Sequence, residues 1–154
     1  IMQSFMDGSY YLTAPCDPCI TYPAKFSSGG WNWFMNKILH VNFGYIGDLI
    51  GNFNSADGMN AYSGIQLRPD TTKISNIFPS YNKLSNVDVI IEPGGFTVPI
   101  LKLNSDDEYV DQEACGVRYY GSGFDVIYIG APIWHMNSED AKLLGQKILE
   151  DMGF

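Results

Sequence analysis

From Trp31 the apolar residues fall at Trp31, Phe34, Met35, Ile38 and Leu39, the spacing that puts one face of an amphipathic helix against a core. Ser27 and Ser28 stand before it and can cap its N-terminus. Ahead of that helix, Ser9 to Ala14 is a short β-prone run stopped by Pro15 and Pro18, and Pro23 with Ser27-Ser28-Gly29-Gly30 marks a loop. Between residues 44 and 86 the pattern breaks into Gly, Asn, Ser and Asp with short apolar pieces such as Tyr45-Ile46 and Ile65-Gln66-Leu67. Such a stretch predicts an irregular excursion with one or two short strands or a helical turn.

The period then becomes that of strands. Val87 to Ile91 predicts a strand ending at Pro93-Gly94-Gly95, and Thr97 to Leu103 a second one. Pro99 lacks an N–H for a ladder, which argues for an edge position or a bulge. Asn104 to Glu113 forms an acidic loop, Ala114 to Tyr120 a third strand, and Gly121-Ser122-Gly123 a tight turn. Phe124 to Ile129 is the most apolar strand, as expected of a central one covered on both faces. A helix follows, capped by Asn137 or Ser138, with Glu139 and Asp140 near its positive end and Gly153 as its stop. Its stripe is Ala141, Leu144, Gly145, Ile148, Leu149 and Met152. Helices and strands alternate at both ends around a β-rich insertion, which predicts an α/β fold, a layered sheet with flanking helices, in one domain over residues 1–154.

Charge narrows the function. Nine basic against 17 acidic side chains give a net −8 in 154 residues. Nothing here clusters Lys and Arg to displace counterions from nucleic acid, and an anionic membrane surface would repel the chain. The longest apolar run, Val126 to Trp134, is far shorter than the ~20 residues that span a bilayer, so no membrane insertion is expected. Charged residues are only 17% and aromatics 14%, with Asn, Ser, Gly and Thr in place of Lys and Glu, a profile suited to an extracellular or cell-surface protein. No basic n-region with an apolar h-region opens the chain, which begins at Ile1, so it is expected to be a processed product or a piece of something longer.

The segment Phe124-Asp-Val-Ile-Tyr-Ile-Gly-Ala-Pro-Ile-Trp134, with the helix Ser138 to Gly153, resembles the final strand–loop–helix of class I glutamine-amidotransferase-like domains. It is most similar to the versions found in large secreted bacterial proteins beside peptidase or adhesion modules. Phe34-Met-Asn-Lys-Ile-Leu-His-Val41, Pro93 to Lys102 and Gly116 to Gly123 fit the same pattern, so the resemblance covers roughly residues 9–154. It implies a flavodoxin-like layer. It also implies where catalysis would sit: a Cys on a Gly-flanked elbow, activated by His and oriented by Glu. Cys16 stands near the elbow, but prolines replace the glycines that would give backbone N–H groups access to an oxyanion. Ala131 fills the His slot and Ile133 the Glu slot, so the resemblance implies a domain that has lost its chemistry.

Three functions remain open. The leading expectation is a non-catalytic structural or interaction module, self-assembling or packed against neighbouring domains or another protein, with no cofactor. A thiol hydrolase or amidotransferase would use Cys16 with His135, four residues beyond the His slot. A carbohydrate- or peptide-binding module would use Trp33, Trp134, Tyr119 and Tyr120. Asp106, Asp107 and Asp111 are candidate ligands for a hard cation, although the ordered spacing of a calcium loop is absent and a solvated turn is the plainer reading. Cys16, Cys19 and Cys115 lack a second pair at zinc spacing; structural cysteines, with Cys16 and Cys19 able to close a small loop, are expected instead. His40 reads as a partner of the first helix's C-terminal dipole or as a packed surface histidine.

Overall fold

The computed structural model describes residues 41–46, 53–77, 87–93, 95–108 and 110–154. The expected strand at 9–14, the helix from Trp31, and Cys16, Cys19, Trp33 and His40 lie outside the described residues. Within them seven strands and two α-helices form: β1 (Val41–Ile46), β2 (Phe53–Gly58), β3 (Gln66–Leu67), α1 (Thr71–Ile77), β4 (Asp88–Pro93), β5 (Thr97–Ser105), β6 (Ala114–Tyr120), β7 (Asp125–Ile129) and α2 (Ser138–Asp151). Short 3-10 turns stand at Asn60–Tyr62 and Ile133–His135. The class is mixed α/β.

The strands make one sheet in the order β1-β4-β6-β5-β2-β3, with β7 also on β6, and every pairing among the described residues is antiparallel. The expected flavodoxin-like or amidotransferase-like layer is thereby corrected, because that architecture needs parallel neighbours. For the β5-β6-β7 run the physical reason is the length of the connections. Residues 106–113 join β5 to β6 and residues 121–124 join β6 to β7. A parallel crossover needs a dozen or more residues, usually a helix, whereas short links return the chain antiparallel.

β6 is the centre. β5 pairs along one side of it, from Thr97↔Tyr119 to Lys102↔Ala114, while β7 takes the other from Gly116↔Ile129 to Tyr120↔Asp125. β4 meets the start of β6 at Ile90↔Ala114. Ala114 to Arg118 are accordingly buried in an unbroken row. β7, expected in the middle, instead pairs only with β6 among the described residues and is partly exposed. Pro99 lies in an interior strand, not an edge, and the register shifts between Pro99 and Leu101, the bulge that its missing N–H demands.

The core gathers Ala56, Tyr62, Leu67, Ile74, Val89, Ile100, Leu101, Leu103, Cys115, Met136 and Leu144. Helix α2 begins where Asn137 accepts hydrogen bonds from the Glu139 and Asp140 N–H groups. It ends as a Schellman motif: the Gly153 N–H donates to the Glu150 carbonyl and the Phe154 N–H to the Leu149 carbonyl. Gly153 holds φ 86°, open to glycine at little cost, as its place after the stripe predicts. Leu144 is buried and Ala141 and Ile148 pack on the core, but Leu149 and Met152 are exposed, so the contact stripe is narrower than its sequence pattern.

Two ion pairs fasten α2. Asp140, buried, receives Arg68 Nε at 2.8 Å, a second guanidinium nitrogen at 2.7 Å and the Arg68 backbone N–H at 3.1 Å. These donors hold its pKa below the usual carboxylate value against the opposing effect of burial. Main-chain bonds add to the junction: Asp70 N–H to the His135 carbonyl and Asn137 N–H to the Arg68 carbonyl, each 2.8 Å. The second pair, at the other end of α2, belongs to the site below.

Candidate functional site

The tight β6–β7 turn puts Tyr119, Tyr120 and Phe124 at one end of the sheet. Gly121 closes that turn, since a Cβ there would strike the Phe124 carbonyl. Pairing of Thr97 with Tyr119 brings Phe96 to the same end, and the Tyr120 N–H donates to the Phe96 carbonyl at 3.2 Å. The rings of Tyr119 and Phe124 lie 5.6 Å apart, tilted by 51°, within the range of favourable aromatic contact. Three of these side chains face solvent: Phe96 is 74% exposed, Phe124 46% and Tyr120 45%.

On the same face of β6 as Tyr120, two residues back, sits Arg118, buried. Its guanidinium donates to Asp125 at 2.8 Å, to the Asp151 carbonyl at 3.1 Å and to the Asp151 carboxylate, and stacks 4.2 Å from the Tyr120 ring centroid. Asp151 also accepts from the hydroxyl of buried Tyr62 at 2.7 Å. Asp125 spends its other oxygen on the Gly121 N–H at 3.1 Å. Burial opposes the charges of Arg118 and Asp151, but hydrogen bonds overcome it: Asp125 and then Asp151 raise the arginine pKa, and Tyr62 and then Arg118 lower that of Asp151. Asp125 is lowered by Arg118 first and by the Gly121 N–H second. Tyr62 is pushed up by burial and by donating to a carboxylate. One cation thus locks the end of α2, the β6–β7 hairpin and the 3-10 turn at Tyr62 together.

The candidate binding aromatics are not brought to one place. Tyr119 and Tyr120 join the cluster just described, but Trp134 follows β7 at the opposite end. The row Gly116↔Ile129 lies four residues from Tyr120↔Asp125, roughly 14 Å along the strand. Trp134 is 79% exposed on its 3-10 turn, with the Lys73 ammonium 5.8 Å from its ring. Its neighbour His135 is half-buried, and its backbone serves the junction with Asp70. Ala131 is fully buried in the core, and Ile133 packs against that core.

The loop after β5 spends its candidate ligands separately. Asp106 accepts from Asn54 at 2.7 Å, while Asp111 accepts from the Ser105 N–H at 2.9 Å and from Gln112. The Asp107 N–H donates to the Ser105 hydroxyl. Among the described residues no three His, Cys, Asp or Glu side chains form a metal-holding group. Cys115 is a free thiol with no exposure, and burial pushes its pKa up to about 12. A thiol so placed is a poor nucleophile.

Phe96, Phe124 and Arg118 escape sequence reasoning as site residues. A signal existed for the first two, each an aromatic beside a glycine turn, Gly94-Gly95 and Gly121–Gly123. Comparison of the chain with protein-family models, with curated proteins and with solved structures finds no match.

Proposed function

We propose that the chain is a non-catalytic structural or interaction module of a secreted or cell-surface bacterial protein, which meets a protein partner through the aromatic end of its sheet. The observation that carries this reading is that Phe96, Tyr120 and Phe124, large and exposed, stand at the same end of the sheet. Contiguous exposed apolar groups commonly mark interaction sites, and aromatic residues are enriched where binding energy concentrates. The low charge and high aromatic content support a place outside the cell.

Site-specific photo-crosslinking tests it. A benzoylphenylalanine at position 124 of the chain in its native producer is expected to give a discrete cross-linked product. The same group at exposed Lys142, on the outside of α2, is expected to give none. The absence of any product from position 124, or identical products from both positions, would overturn the reading.

A further inference from the structure

We infer that the aromatic end receives a basic protein segment, with its Arg or Lys side chains laid on the exposed rings; this rests on the interaction-surface reading above. Charge complementarity selects the occupant. Segments 95–97 and 118–125 carry a single cation, Arg118, which is buried and outnumbered by its two carboxylate partners, Asp125 and Asp151. The Asp125 side chain, paired with Arg118, remains one-third exposed at 33% while the guanidinium is covered, so the charge of these segments that reaches solvent is a carboxylate. Aromatic faces carry a negative quadrupole and attract guanidinium and ammonium groups, Arg more often than Lys. The chain already displays the chemistry on itself: the Arg118 guanidinium lies 4.2 Å from the Tyr120 centroid.

The long-range field agrees. A net −8 draws a basic partner toward the molecule and repels a second copy of it, beyond what the rings do at contact. At physiological ionic strength that field decays over about 8 Å, so the salt-sensitive part of binding belongs to encounter and the ring contact survives.

The probe is a fluorescent peptide of alternating Arg and Ser, titrated by anisotropy with the full chain, beside peptides carrying citrulline or Glu in place of Arg. Citrulline keeps the planar shape and removes the charge. The Arg peptide is expected to bind at least about tenfold more tightly than either relative. Its affinity is expected to fall about tenfold in the Phe96→Ala/Phe124→Ala chain, whose two changes are exposed and leave the circular dichroism spectrum unchanged. Equal binding by the parent and double variant would reduce the effect to general attraction by an acidic chain and overturn the inference. Equal binding of the citrulline peptide would also overturn it, while leaving the photo-crosslinking result at position 124 to stand. No binding of the Arg peptide at 50 mM salt overturns it outright.

Discussion

Replacement of Arg118 by Met keeps most of the side-chain volume and removes the charge, so its effect measures the ion-pair network and not a cavity. Arg118 is buried, and its loss strands two carboxylates, of which Asp151 is mostly covered. Removing one partner of a buried pair costs about 3–5 kcal/mol. The low end applies here, since Asp151 keeps the Tyr62 hydroxyl, Asp125 keeps the Gly121 N–H, and Asp125 reaches water. We expect about 3 kcal/mol at pH 7 by urea unfolding. In a chain of this length each kcal/mol lowers the midpoint temperature by roughly 2–4 °C, giving a fall of about 6–12 °C. Arg118→Lys restores the charge but not the forked geometry, and is expected to recover only part of the loss.

The pH dependence supplies the sharper check. Asp125 and Asp151 both have lowered pKa values in the folded protein. Their contribution is therefore complete above the unfolded carboxylate value, about 3.9, and disappears as pH falls through the lower folded values. The Met variant keeps only the Tyr62 and Gly121 donors to depress them, without the guanidinium, and loses less on acidification. The stability gap between parent and variant is expected to shrink between pH 4 and pH 2.5. A gap below 1 kcal/mol at pH 7, or one unchanged on acidification, would refute the network.

Asp140→Ala removes three hydrogen bonds from Arg68 at the start of α2 and is expected to cost about 1–2 kcal/mol, the lower range because the arginine is largely solvated. Thermal unfolding followed by circular dichroism measures it, and since Asp140 also has a lowered pKa its gap too closes below pH 4. Cys115 is expected to resist iodoacetamide at pH 8 in the native chain and to react after urea unfolding, because burial lifts its pKa to about 12; rapid native labelling, resolved by peptide mapping, would contradict its place in the core.

Much of the C-terminal half was legible in the sequence, because local signals there agree with the final packing. Ala114 to Tyr120 is a strand over the expected span, and α2 runs from Asn137's cap to Gly153's stop. The Gly-, Asn-, Ser- and Asp-rich composition of residues 44–86 suggests less regularity than the described segment 53–77 within them has. β2 spells Phe-Asn-Ser-Ala-Asp-Gly, a poor strand by propensity, and it forms through partners far along the chain: Ala56 lies opposite Leu103. Tertiary pairing overrides local preference in such a case. β7 misled in the opposite direction. Its continuous apolar run suits an interior strand, yet hairpin closure to β6 after residues 121–124 leaves it outside the main strand path. Of the site, Tyr119 and Tyr120 could be named in advance. Arg118 could not, since a charged residue late in a strand is expected to face water and its burial depends on Asp151, 33 positions later.

That buried arginine also explains why the exposed rings can serve as a surface. An aromatic side chain on a loose turn must be ordered when it binds, at a cost of about 0.5–1.5 kcal/mol for each flexible side chain fixed. Here Tyr120 rests on the Arg118 guanidinium, Tyr119 and Phe124 restrain one another, and the turn between them is tied by Asp125 to the Gly121 N–H. Asp125 thus joins the two levels, pairing with the buried cation on one oxygen and fixing the turn with the other. A partner at the proposed surface would meet rings already held in place, so ordering would take less from its binding energy. The same coupling ties the proposed surface to the fold: loosening the end of α2 at Asp151 would free Arg118 and with it the support of Tyr120, so the last turn of the helix would bear on binding without touching the ligand.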